Sequence, residues 1–143
     1  MSVVSEKILR SNGFWLAARI LSSVVFVSSG LAKLLDFGGG VSEMAAAGLH
    51  PAWLFNIGTV IILLGGSALL LLDRAVWLGS LVLGFFLLLT IAVVHRFWSL
   101  PDSAGQQALY VALEHLSVVG GLMAATVASH FRKLNRHAEK DAA

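Results

Sequence analysis

The chain has 143 residues, of which 57% are hydrophobic and 13% charged, with a formal net charge of +2, and its mean hydropathy is +0.84. A soluble domain of this composition would expose more apolar surface than water tolerates, which excludes a soluble globular fold. With no cysteine, a disulfide framework, a thiol relay, Cys-ligated zinc and covalently attached haem are excluded too, so any electrons passing through the chain need a bound cofactor.

Residues 1–13 are polar at Ser5-Glu6-Lys7 and Arg10, and no Ala-x-Ala-like cleavage site closes the apolar run that follows. This predicts a cytoplasmic N-terminal segment and a retained first helix rather than a signal peptide. The four runs Phe14–Leu35, Trp53–Leu72, Ala75–Phe97 and Ala108–Ser129 each come to about the 20 residues that a helix needs to cross hydrocarbon. Stretches such as Val60-Ile61-Ile62-Leu63-Leu64 and Phe85-Phe86-Leu87-Leu88-Leu89 carry no polar face at helical period, as lipid-embedded helices do not need one.

Arg19 lies one to two turns inside the first run, close enough to snorkel to the headgroups. The loop 36–51 predicts a short helix at the external interface, with Ser42 as its cap, Gly48 at its end and Pro51 opening the second span. Asp73-Arg74 is too short a connection for anything but antiparallel neighbours. Residues 99–105 form a polar turn, and a basic cytoplasmic tail occupies 131–143 after the membrane domain, 14–130. The expected fold is thus all-α, a membrane-embedded antiparallel four-helix bundle with one short interfacial helix.

Trp15, Trp53, Trp77 and Trp98 each fall near the end of a run, where interfacial tryptophans sit. With four spans, Lys7, Arg10, Arg74, Arg132, Lys133, Arg136 and Lys140 share one side, against Lys33 and Arg96 on the other. The positive-inside rule places both termini in the cytoplasm of a multi-pass cell-membrane protein, in bacteria the inner membrane. The sequence pI near 9.4 then reflects anchoring to anionic lipid, and no nucleic-acid partner is expected.

Gly30, Gly65, Gly66, Gly120 and Gly121 offer surfaces on which helices, or two copies of the chain, can approach closely. Glu114-His115 lies about 12 Å into the fourth helix, counted from Gln106 at 1.5 Å per residue. An unpaired charge at that depth costs at least about 2.5–3.5 kcal/mol. Lys33, Asp36, His95 and Arg96 converge on the same external leaflet, with Arg96 able to snorkel outward. These positions suggest a polar pocket of Lys33, Asp36, His95, Trp98, Glu114 and His115, in which Glu114 pairs with Lys33 and a histidine completes the hydrogen bonding. A polar clamp that fixes helix register explains the same residues equally well.

The segment Phe26-Val27-Ser28-Ser29-Gly30-Leu31-Ala32-Lys33-Leu34-Leu35-Asp36-Phe37 resembles the first-helix signature of the DoxX-like membrane proteins. Met44…Gly48-Leu49 ahead of Pro51, Gly65-Gly66, His95-x-Phe97-Trp98 and Leu116…Gly120-Gly121-Leu122 are similar to that family in order and spacing. The resemblance implies a four-helix membrane bundle and an association with oxidoreduction, because the name-giving branch is similar to subunits of a thiosulfate:quinone oxidoreductase. Two departures stand out. Ile62 occupies a position where many members carry an acid, and Glu114-His115 replaces a Lys-Asn pair.

Three functions are compatible with these residues. A membrane subunit of a quinone-linked oxidoreductase complex would use an imidazole or Glu114 to bond a quinone carbonyl, with Phe37, Phe97 or Trp98 against the ring and a partner subunit carrying the electrons. A non-catalytic scaffold or assembly factor would need only the packing surfaces and the basic tail. A small-solute transporter would need a polar route that the cytoplasmic half, with Arg19, serines and glycines, does not supply. Haem ligation by His95 and His115 is disfavoured, since a lone histidine near an interface is more often a polar filler.

Overall fold

A computed structural model describes residues 3–141. The first two residues of the N-terminal segment and the last two of the basic tail lie outside the described residues. The described chain is all-helical: α1 (Val3–Arg10), α2 (Asn12–Leu35), α3 (Phe37–Ala46), α4 (Ala52–Leu71), α5 (Val76–Val93), a 3-10 turn at Phe97–Ser99, and α6 (Asp102–Asp141). Four of these segments, Asn12–Leu35, Ala52–Leu71, Val76–Ser99 and Asp102–Asp141, are long and apolar enough to cross a membrane. The protein is a multi-pass membrane protein.

Helix α2 packs along α4, α4 along α5 and α5 along α6, whereas α2 and α6 share only a short contact. Phe26, Leu63, Leu70, Leu83, Leu87 and Leu122 form the common core, flanked by Ile62, Phe86, Val118 and Val119. The outward positions stay apolar, as at Leu21, Ile61, Phe85 and Met123, and suit contact with acyl chains. Ser23 and Ser80 are buried without a hydrogen-bond partner, but other hydroxyls inside the spans bond to their own helix: Ser67 to the Leu63 carbonyl, Thr90 to Phe86, Ser117 to Leu113 and Thr126 to Leu122. No water need enter the hydrocarbon to satisfy these bonded hydroxyls.

Glycine sets the closest helix contacts. A Cβ on Gly79 would lie 2.8 Å from the Gly66 carbonyl oxygen, so α4 and α5 approach to backbone contact. Gly30 meets Leu63 and Leu64, and Gly66 meets Leu83. Gly65, Gly120 and Gly121 are different, for an added Cβ at each has nothing within 4 Å. Of the five glycines expected to pack helices, two do so within the chain, and Gly79 joins them.

Several boundaries differ from the expected ones. The cap of α3 is Asp36, whose Oδ1 accepts the Gly39 N–H at 2.9 Å. Ser42 instead lies inside the helix, and Gly38, Gly39 and Gly40 form part of its first turn. Gly48 ends α3 as expected, at a φ of +78° that favours glycine. Helix α5 stops at Val93, short of Phe97, with the Val94 and His95 N–H groups both donating to the Thr90 carbonyl. Helix α6 runs on through the basic tail to Asp141; its 40 residues come to about 60 Å at 1.5 Å per residue, twice the hydrocarbon thickness.

Asp73, in the tight turn between α4 and α5, ties one end of the molecule together. Its carboxylate accepts from Trp15 Nε1 at 3.2 Å, from Ser129 Oγ at 3.3 Å and from Arg136 at 3.2 Å. Arg19, expected to snorkel to the headgroups, donates to the Leu70 and Leu71 carbonyls at 3.4 and 2.8 Å, completing the C-terminus of α4. Both Asp73 (φ 54°) and Ala75 (φ 48°) adopt left-handed backbone, a conformation costing about 1 kcal/mol or more for a non-glycine residue. Burial pushes the Asp73 carboxyl up, but hydrogen bonds from Trp15 and Arg136 and the charges of Arg19 and Lys133 outweigh it and hold the group below its ordinary value.

Two measurements follow. Gly79→Ala should lower thermal stability by about 1–3 kcal/mol through overpacking against backbone, whereas Gly121→Ala should change it by less than about 0.5 kcal/mol; equal losses would place the close contact elsewhere. A depressed folded pKa means that Asp73 contributes stability above its unfolded value, 3.8, and loses it as pH falls through the folded value. Asp73→Asn should therefore unfold more readily at neutral pH, with the gap to the parent protein closing in acid. A gap independent of pH would show that the carboxylate charge is not what holds this turn.

Candidate functional site

At the opposite end from Asp73, the expected site residues separate into two groups. The first surrounds α3. Lys33, near the C-terminus of α2, forms an ion pair with Glu43 of α3, and its side chain is only 16% exposed. Asp36 is occupied in capping α3. Lys33 is therefore held by Glu43 rather than by Glu114, because α3 folds back within reach of the end of α2 and brings a carboxylate only ten positions along the chain.

Asn56 completes this group and escaped the sequence reading. It is fully buried on α4, its Nδ2 donates to the Lys33 carbonyl at 3.5 Å, and its Oδ1 has no hydrogen-bond partner. A Cβ on Gly40 would fall 2.4 Å from that oxygen, so α3 can lie this close to α4 only because residue 40 is glycine. A lone asparagine, the fourth residue of the run Trp53–Leu72, was the available signal. Glu43 left no such trace among the polar residues of its loop.

The second group lies where α5 gives way to α6. The rings of His95 and His115 meet edge to face, with centroids 5.2 Å apart and planes at 75°. Both are half-buried, and no hydrogen bond joins them. Phe97 and Trp98 pack edge to face at 5.0 Å in the 3-10 turn just beyond, leaving Trp98 61% exposed. Glu114, adjacent to His115, is exposed and makes no hydrogen bond or ion pair among the described residues. Among those residues no cluster of three or more His, Cys, Asp and Glu side chains could hold a metal ion.

Chemically the two groups are not equivalent. Lys33, Glu43 and Asp36 satisfy one another or a helix end, which leaves them little capacity for a ligand. His115 has one ring nitrogen engaged with the Val111 backbone, which leaves its other nitrogen and those of His95 to donate or accept, and the exposed Glu114 carboxylate is adjacent in sequence.

Comparison with known proteins adds one finding. A family model for DoxX matches residues 14–96, more than half of the chain. The match takes in Lys33, Asn56 and His95 and ends before α6, so Glu114 and His115 lie outside it. No curated protein and no solved structure matches the chain.

A double-mutant cycle distinguishes the two possible partners of Lys33. Lys33→Met and Glu43→Gln should be non-additive in stability by about 0.5–3 kcal/mol, whereas Lys33→Met and Glu114→Gln should add within about 0.5 kcal/mol. Coupling to Glu114 in place of Glu43 would overturn the assignment.

Proposed function

The chain belongs to the DoxX family, and from that premise we propose that it is the membrane subunit of a quinone-linked oxidoreductase complex. In this reading the four spans form an antiparallel bundle in a bacterial inner membrane, both termini are cytoplasmic, and α3 rests at the external interface. The observation that carries the reading is the contact between His95 and His115, 5.2 Å between centroids, with Glu114 and Trp98 exposed alongside.

A quinone, when bound, supplies the electron-accepting ring and takes up protons as it is reduced. The residues fit such a group by their chemistry. One imidazole N–H can donate to a ring carbonyl while the other imidazole accepts, and Glu114 can hold or release a proton next to His115. Trp98 offers an exposed aromatic face beside them. A chain without cysteine contributes binding and proton exchange, and a partner subunit delivers the electrons.

A second reading, a non-catalytic scaffold, draws on the other group of residues. Lys33, Asp36, Glu43 and Asn56 all serve to fix α3 against α2 and α4, which is what a docking platform requires and a reaction does not.

The two readings part on extraction in mild detergent. Under the redox reading the protein retains quinone, and His95→Leu or His115→Leu lowers the retained amount about fivefold, the equivalent of one net hydrogen bond, without changing helix content. Quinone content unaffected by both substitutions would reject that reading. A partner complex that persists regardless would then favour the scaffold.

A further inference from the structure

We infer that the cavity between the α1–α2 junction and the far end of α6 is a binding site for a phosphate-bearing anion, the phosphodiester of an anionic phospholipid. The cavity measures about 220 Å³ and is lined by Arg10, Asn12, Arg132, Asn135, Arg136 and Glu139. At about 30 Å³ per water, that is room for roughly seven waters, more than the five heavy atoms of a phosphate need. Three guanidiniums and one carboxylate line it; Glu6 and Asp73 pair with Arg10 and Arg136 from outside the lining, and Arg132 has no acidic partner among the described residues.

The arginines are positioned before any ligand arrives. Arg132 is pinned to the corner between α1 and α2, donating to the Leu9 and Arg10 carbonyls at 3.2 and 3.3 Å and to Asn12 Oδ1 at 2.9 Å. It also lies 5.8 Å from the centre of the Trp15 ring, and its Nε is buried without a partner. Arg136 uses one terminal nitrogen on Asp73 at 3.2 Å and its Nε on the Arg132 carbonyl at 3.4 Å, leaving its other terminal nitrogen unassigned. Arg10 contacts Glu6 at 3.3 Å and is otherwise 74% exposed. Each guanidinium has five N–H donors, so donors remain for an oxyanion, which arginine suits by its planar fork.

Depth selects the lipid. The apolar part of α6 ends near Ser129, so Arg132 and Arg136 lie one and two turns beyond it, at headgroup level. On the membrane side of the cavity the apolar spans of α2 and α6 begin, along which acyl chains would run. A soluble phosphate has no use for that apolar flank.

The test uses the full chain in nanodiscs of equal parts phosphatidylglycerol and phosphatidylcholine, with lipid retained after detergent washing counted by native mass spectrometry. The parent protein should retain phosphatidylglycerol in preference. Arg10→Gln combined with Arg136→Gln should lower retention about fivefold for each guanidinium removed. Asn135→Trp, which places an indole in the cavity without changing charge and leaves the Asp73 contacts intact, should lower it as well. Lys7→Gln with Lys140→Gln, an equal change in charge outside the cavity, should leave it unchanged. Retention by either cavity variant, or an equal loss in the lysine control, would overturn the site in favour of diffuse attraction to the membrane. Inorganic phosphate in detergent separates the sources: failure to raise the unfolding midpoint supports a lipid anion, whereas a rise in the parent protein alone, with no lipid retained, overturns the lipid in favour of free phosphate.

Discussion

The Asp73 carboxylate is the interaction on which the arrangement of the helices most depends. It sits in a four-residue connection whose backbone is left-handed at two non-glycine positions, and it receives hydrogen bonds from the start of α2 and from two successive regions of α6. Helices α2 and α6 share little other contact. In hydrocarbon, apolar side chains gain nothing by choosing one another over lipid, so directional polar contacts at the ends of the spans carry much of the specificity. Arg19 and Arg132 extend the same logic, each satisfying backbone carbonyls that a helix end or corner would otherwise leave open.

The other end solves the same problem locally. Asp36 caps the helix that follows it, Glu43 neutralises Lys33, and Asn56 bridges α4 to the last turns of α2. These contacts span short stretches of chain and fix α3 rather than the bundle. Their consequence for function is subtractive: Lys33 is occupied, so chemistry must come from what is left over. What is left over is the histidine pair and its exposed neighbours.

Much of the fold was legible because the signal is one-dimensional. A run of about 20 apolar residues specifies a span wherever it occurs, and Gly48 and Pro51 punctuate the chain where the backbone turns. Pairing was not legible. Lys33 was matched to Glu114 on depth, since both fall toward one leaflet, but depth says nothing about azimuth, and α3 brings Glu43 nearer. Asp36 and Ser42 were both chemically competent caps, and only packing of Gly40 against Asn56 decides that α3 starts early enough for Asp36 to serve. Glycines show the same limit. Gly66 and Gly65 are equivalent in sequence, yet 100° of helical rotation sends one against Leu83 and the other to open space.

Glu114 makes the sharpest demand on the proposed reading. At the depth that the proposed topology gives it, a carboxylate costs about 2.5–3.5 kcal/mol or more unless it is neutralised or covered, and Glu114 is exposed with no ion-pair partner among the described residues. Membrane insertion therefore favours any ligand, partner helix or proton that meets it, and His115 beside it supplies a group through which such a proton could move. The half-buried imidazoles meet where the end of α5 passes α6, and the exposed Trp98 follows His95 by three residues in the 3-10 turn. A cofactor entering from the bilayer would reach this surface without crossing the packed core, whereas the Lys33–Glu43 pair would have to be broken before it could contribute. The unsatisfied group, not the strongest charge, thus identifies the surface on which binding would relieve the largest standing penalty.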